Sequence, residues 1–307
     1  MQIQSDFDGS QAQAEGSFRL YATLSRISTE ASVYLADMCT ALYACMNTRN
    51  KGAAYRLQAL HLLAATGYAS TRQVARHLWG RCDENSRRMA RRTLTWLLNR
   101  KLVVSKRESV WSVSAGSGEL LYALNRAGVD VIKQHGNSLV AEKAHARDYI
   151  RHAHSHRSAC NSVYVAWPTD EVFSELSVRA GECDLTRFEY CHKDERVAKI
   201  PDLVAVEDGH FVWIEVENSW RGEGDLAKLI DCMRMMFGRD HQISRMHFVV
   251  TSPAARTIGK RIKNRLTHGP ESGWPRQLKE LDARILALHL AVSELDPETL
   301  ELQEITL

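Results

Sequence analysis

No stretch of the 307-residue sequence approaches the roughly 20 consecutive apolar residues of a membrane span; Ile285–Val292 is among its longest apolar runs. The N-terminal stretch Met1–Gly16 is polar and lacks the basic-then-apolar order of a secretory leader, so secretion is not expected. Seven cysteines, an odd number without framework spacing, point to reduced thiols in a cytoplasm rather than to a disulfide scaffold. GxxxxGK[ST], GxGxxG after a strand, HExxH and GxSxG are all missing, which removes the common nucleotide, zinc-protease and hydrolase signatures. What remains is 44% hydrophobic and 25% charged, an ordinary globular composition. The length suggests about two domains.

Net charge is +3, but it is unevenly spread. Between Lys51 and Arg107 thirteen Lys and Arg face only Asp83 and Glu84, giving that stretch +11 and the remainder −8. A polyanion would be drawn to the first part and repelled by much of the rest, so double-stranded DNA is the expected partner. A merely solvated helix face usually mixes both signs.

Along the chain, residues 1–17 read as a polar tail. A helix is expected from about Ser28 to Asn47, with Leu35, Met38, Leu42 and Cys45 on one stripe. That stripe serves either a homodimer seam or docking on its own domain. Three further helix patterns follow. The first, Ala54–Ala65, turns Leu57, Leu60, Leu63 and Ala64 inward. The second, Thr71–Trp79, is capped by Ser70. The third, Ser86 to about Lys101, has Met89, Thr93, Trp96 and Leu97 inward and Arg87, Arg88, Arg91 and Arg92 outward. Strands are predicted at Leu102–Lys106 and Leu120–Leu124, around a polar, Gly-containing stretch that includes Ala115–Gly118. Asn125 then caps a helix over Arg126–Gln134. This order resembles a winged helix-turn-helix. The resemblance implies that Arg87, Arg88 and Arg91 enter the major groove, with Arg92 on backbone and Lys106 and Arg107 starting the wing.

A helical connector, about Leu139–Tyr164, carries His152, His154 and His156, with Cys160 beyond. His152, His156 and Cys160 share a face, a spacing that can begin a zinc site. No second paired motif completes four ligands, Cys183 and Cys191-His192 could join only through tertiary contact, and surface or interhelix packing is the other reading.

After Pro168 the pattern becomes mixed. A helix is expected over Thr169–Val178, strands over Arg187–Tyr190, Ile200–Val206 and Phe211–Val216, and a tight turn at Glu207-Asp208-Gly209. A helix over Asp225–Phe237, a strand His247–Thr251, a helix Ala254–Arg265 and a strand Ala283–Leu290 follow, and Asp296–Leu307 reads as solvated. Residues two apart on a strand point the same way, so Glu215 and Glu217 share a side while Asp202 opens the neighbouring strand. Three converging carboxylates repel unless a cation or proton intervenes, and hard oxygen donors suit Mg²⁺ or Mn²⁺. An ordinary solvated strand end is the alternative for the two glutamates.

Ile200-Pro201-Asp202 followed by Glu215-Val216-Glu217, in a helix–strand–hairpin–helix–strand order, resembles the PD-(D/E)xK nuclease superfamily. With the basic module before it, the chain resembles the replication-relaxation family of plasmid and other mobile-element proteins over about residues 53–265. The resemblance implies an α+β protein: a flexible tail (1–17), a helical segment with the winged helix (18–136), a helical connector (137–166), an α/β restriction-endonuclease-like domain with a central mixed sheet (167–293) and an acidic tail (294–307). It also implies that Asp202 and Glu215 hold the metal. Glu217 stands where the motif lysine belongs, with Lys228 a substitute for it and Glu189, Glu171 or Glu175 an upstream acid. Three functions remain open: a metal-dependent DNA endonuclease, a catalytically inert DNA-binding regulator or replication and transfer accessory factor, and an RNA- or protein-binding adaptor in a mobile-element or defence system.

Overall fold

The computed structural model describes residues 48–107, 119–135, 155–169, 171–185, 187–238, 242–268 and 276–307. The expected tail, the Leu35–Cys45 stripe, the 115–118 stretch, His152 and His154 lie outside the described residues. The chain divides into two units, 1–61 and 62–307. The first is described only from Thr48, where helix α1 (Thr48–Thr66) begins; Leu57, Leu60, Leu63 and Ala64 of that helix are buried, as its apolar spacing requires.

After α1 come β1 (Ala69–Ser70), α2 (Thr71–Trp79) and α3 (Glu84–Asn99). Ser70 and Gln73 cap α2 reciprocally, side chain to backbone in both directions. Gly80 ends it at φ 66°, a conformation glycine adopts without strain. Asp83 caps α3, accepting the Ser86 N–H at 2.7 Å, so α3 starts earlier than a Ser86 start predicts. Its buried stripe is Ser86, Ala90, Leu94 and Leu97, while Met89, Thr93 and Trp96, expected inward, are only partly covered. Strands β2 (Val103–Arg107) and β3 (Leu120–Leu124) pair antiparallel and join β1 in a three-stranded sheet of order β1-β3-β2. Helix α4 (Arg126–His135) packs so closely here that a Cβ on Gly128 would lie 2.2 Å from the Leu102 carbonyl oxygen.

The later part is a mixed α+β arrangement around a mixed six-stranded sheet of order β11-β10-β9-β8-β7-β4. Its elements are α5 (Ser155–Ala166), β4 (Val172–Ser174), α6 (Glu175–Ala180), β5 (Phe188–His192), β6 (Glu195–Lys199), β7 (Leu203–Glu207), β8 (His210–Glu217), α7 (Glu223–Phe237), β9 (Ile243–Val250), α8 (Ile258–Thr267), α9 (Arg276–Arg284), β10 (Leu290–Leu295) and β11 (Leu302–Glu304). Strands β8, β9 and β10 run parallel and the other pairings are antiparallel. Central β8 is covered on both faces: Val212, Trp213 and Ile214 are fully buried. It pairs with β7 across a two-residue turn in which Asp208 and Gly209 both have positive φ, 50° and 78°.

Several expectations are corrected. The helix predicted over Thr169–Val178 is a strand followed by a shorter helix. Val172 and Phe173 pair with Ala205 and Val204, and Ser174 then caps α6 by accepting the Ser177 N–H at 3.1 Å. Strand β7 begins at Leu203 rather than Ile200, because Pro201 has no N–H for the ladder and Asp202 turns its side chain to the β8 backbone. Polar β6 had no apolar alternation to announce it, yet it pairs residue by residue with β5 in a separate ribbon. Helix Ala254–Arg265 is a 3₁₀ turn, Pro253–Ala255, then α8. Ala283–Leu290 is helical through a π turn, Ile285–His289, and the strand starts only at Leu290, where pairing with Met246 begins. Asp296–Leu307 is not all solvent-facing: Asp296 accepts the N–H groups of Glu298 and Thr299, Leu300 is buried, and β11 extends the sheet.

His247 on β9 is buried, with Nε2 2.9 Å from Ser293 Oγ, its ring edge-on to Trp167 and Nδ1 without a hydrogen-bond partner among the described residues. Burial, aided by the Arg245 charge, pushes its pKa down to about 4. The folded protein thus refuses a proton that the unfolded chain accepts below pH ~6.5, so stability declines as pH falls from there toward 4. At about 1.4 kcal/mol per pH unit the loss reaches roughly 3 kcal/mol. Urea unfolding of the native chain and of His247→Gln at pH 7, 5.5 and 4.5 should show a shallower acid-side decline in the variant; parallel declines contradict this assignment.

Candidate functional site

The carboxylates of the β7–β8 hairpin meet cations that the chain itself supplies. Glu215 is buried, and its Oε1 accepts the Trp213 indole N–H at 2.7 Å while Lys199 Nζ lies 2.8 Å from Oε2. Arg221, on the segment leaving β8, reaches Glu215 at 3.6 Å and grips Glu217 through two nitrogens at 2.5 and 3.3 Å. Asp202 accepts the Val216 N–H on Oδ2 at 2.8 Å, and its Oδ1 lies 3.1 Å from His156 Nε2. Four residues on from His156, one turn of α5, Cys160 Sγ lies 3.6 Å from the same nitrogen. Repulsion among the three acids is therefore offset by Lys199, Arg221 and His156.

Titration follows this wiring. Burial raises the Glu215 carboxyl and the Asp202 charge adds to it, against Lys199 and the Trp213 N–H. Burial also disfavours the Asp202 carboxylate, but the His156 bond and the Val216 N–H together hold it below the usual range. For Lys199, burial acts against the ammonium and Glu215 more than compensates, so its pKa is raised. The pair's directions oppose each other: a raised Glu215 disfavours its ion, a raised Lys199 favours it. Trp213, Lys199 and Arg221 converge on oxygens that only the carboxylate offers in full, so Glu215 and Lys199 are held as an ion pair. Burial and the nearby carboxylates raise the Cys160 thiol well above its ordinary value.

Beside these groups is a cavity of about 390 Å³, lined among others by His156, Lys199, Glu217, Asn218, Arg221 and Lys228. Of the residues singled out from sequence, Asp202, Glu215 and Glu217 come together at the end of the hairpin, and Lys228 reaches the same cavity from α7. Glu189 does not line it: its carboxylate is held on the ribbon by Arg187 and Arg196. Glu175 is bound by Arg157 and Arg179, while Glu171 accepts the Val206 N–H on its backbone oxygen. Lys199 and Arg221 were missed. Lys199 ends a strand that periodicity does not reveal, and Arg221 follows the last strand residue by four.

Helix α3 presents the other surface. Arg88, Arg91, Arg92, Thr95 and Asn99 are exposed, and Arg88, Arg91, Arg92, Thr95, Trp96 and Asn99 line one shallow groove along it. Arg88 donates to Asn85 Oδ1 at 2.6 Å, and Arg91 pairs with Glu84. Arg87 is placed differently, donating to the Cys82 carbonyl at 2.9 Å and to the Glu298 carbonyl at 3.2 Å. Lys106 and Arg107 are exposed at the end of β2.

A model of the replication-relaxation family matches residues 60–219. No curated protein matches the chain. Among solved structures, the crystal structure of protein VC1899 from Vibrio cholerae is similar at 16% identity over 76% of this chain and 53% of that one, with a TM-score of 0.23. The chain thus spans about half the length of that protein.

Proposed function

Because the chain belongs to the replication-relaxation family, we propose that it is a duplex-DNA-binding accessory factor of plasmid or other mobile-element replication or transfer. The reading treats the region from α1 to α4 as a winged helix-turn-helix, and the β4–β10 region as a nuclease-like domain retained for assembly and for holding backbone phosphate. The exposed row Arg88, Arg91, Arg92 carries it: three guanidinium groups on a helix of major-groove size, in the stretch whose net charge is +11. Arg87, tied to Glu298, is assigned to positioning the helix rather than to DNA. Lys199, Arg221 and Lys228 at the cavity would meet a phosphodiester oxygen.

A hard Mg²⁺ or Mn²⁺ ion on Asp202 and Glu215 is poorly served by the donors as arranged. Both Glu215 oxygens are taken by Trp213, Lys199 and Arg221, and Asp202 Oδ1 faces an imidazole and a thiol rather than further oxygens. One observation favours cleavage as a second reading. Lys199, 2.8 Å from Glu215, supplies the lysine that Glu217 displaces from the motif.

Incubation with supercoiled plasmid separates the two. The accessory-factor reading expects retarded migration and no nicking with Mg²⁺ or Mn²⁺. Nicking that Asp202→Asn and Lys199→Ala both abolish would replace it by the enzyme, and plasmid that migrates unchanged at low salt would remove both.

A further inference from the structure

We infer that His156, Cys160 and Asp202 form a binding site for a borderline transition-metal ion, zinc by preference. The three ligand atoms, Nε2, Sγ and Oδ1, all lie within 4.8 Å of one another. Nε2 is 3.1 Å from Oδ1 and 3.6 Å from Sγ. Zinc bonds of roughly 2.0–2.3 Å at tetrahedral angles place neighbouring ligand atoms about 3.3–3.7 Å apart, so these separations are close to those of ligands around one ion. Both neighbours approach the same ring nitrogen. A single proton there can serve only one of them, whereas an ion between the three serves all.

The site is built rather than incidental. His156 and Cys160 are one helical turn apart on α5, which fixes their common direction. Asp202 is held from outside the trio by the Val216 N–H on Oδ2, leaving Oδ1 turned toward His156, the kind of outer hydrogen bond that orients a metal-ligating carboxylate. A nitrogen–sulfur–oxygen set suits zinc, or cobalt in its place, and does not suit magnesium. Three protein ligands leave a fourth position for water. An ion here leaves Glu215 with Lys199 and occupies the Asp202 oxygen that a nuclease metal would need, so the inference rests on the accessory-factor reading of the cavity.

The test is spectroscopic. The 307-residue chain, stripped with chelator, is titrated with Co²⁺. One equivalent should give intense visible bands of tetrahedral cobalt and a near-ultraviolet thiolate-to-cobalt band, both bleached by one equivalent of Zn²⁺. Cys160→Ser should lose the thiolate band, and His156→Gln and Asp202→Asn should each weaken cobalt binding at least tenfold, with far-ultraviolet circular dichroism unchanged. Weak octahedral bands without thiolate character, or a thiolate band that survives Cys160→Ser, overturns the site. If Cys160→Ser unfolds, the His156→Gln arm decides: native cobalt affinity in that variant also overturns it. DNA retardation is read separately, so failure here leaves the DNA-binding proposal standing.

Discussion

Replacing Arg88, Arg91 and Arg92 together by alanine is expected to weaken affinity for duplex DNA by about 100-fold near physiological salt, with the unfolding midpoint nearly unchanged. The magnitude assumes about 1 kcal/mol net for each lost arginine–phosphate or arginine–base contact, a conservative value for charge-assisted hydrogen bonds in water. The three side chains are exposed, so their removal opens no cavity. The protein partners they leave, Asn85 for Arg88 and Glu84 for Arg91, are also exposed and are rehydrated at little cost. Anisotropy titration with a labelled duplex reads the affinity and urea unfolding reads the stability. An affinity within threefold of the native value removes α3 as the DNA-facing element.

A second large effect is expected at Lys199. Glu215 is buried, and Lys199→Met removes the cation at 2.8 Å, leaving Arg221 at 3.6 Å and the Trp213 N–H. Stripping one partner from a buried ion pair costs about 3–5 kcal/mol. Arg221 remains and Lys199 is about a quarter exposed, so a loss of about 2–4 kcal/mol is expected. Neutralising the acid as well should recover most of it. Glu215→Gln keeps an oxygen for the Trp213 N–H and no longer needs a counter-charge, so the double variant should be more stable than Lys199→Met alone. Unfolding curves for the two single variants and the double measure the coupling. Additive losses would mean that Lys199 and Glu215 do not depend on each other and that the site's charge balance has been misassigned.

How far the sequence reveals this arrangement depends on whether the signal is local. The two-residue turn at Asp208-Gly209 is legible because both positions take positive φ, which that pair tolerates. The common side of Glu215 and Glu217 follows from the period of a strand alone, and both meet Arg221. The Ser70 cap is likewise local chemistry. The partners of those acids are not local. Lys199 sits in Glu195–Lys199, a ribbon strand with two charges at its start and one at its end, and nothing in that pattern says strand. His156 meets Asp202 across 46 residues, a juxtaposition no spacing rule contains. Sequence pattern groups His156 with Cys160 and His152 on one helix face, and the carboxylate that joins the first two comes from the turn before β7. Elsewhere pairing overrides periodicity. The apolar run Ile285–His289 reads as part of a strand, yet it forms a π turn, and the register Leu290↔Met246 decides where the strand starts. At the C-terminus the acidity of Asp296 is spent on capping a turn, which lets Leu300 bury and β11 add to the sheet.

Neutralisation of DNA phosphates by the α3 arginines, as proposed, is tested most directly by the slope of log affinity against log salt for the native chain and for the triple alanine variant on one duplex. Each phosphate neutralised contributes about 0.9 to that slope, so the native line should be steeper by about 2–3. Two parallel lines, or binding that does not weaken as salt rises, would contradict it.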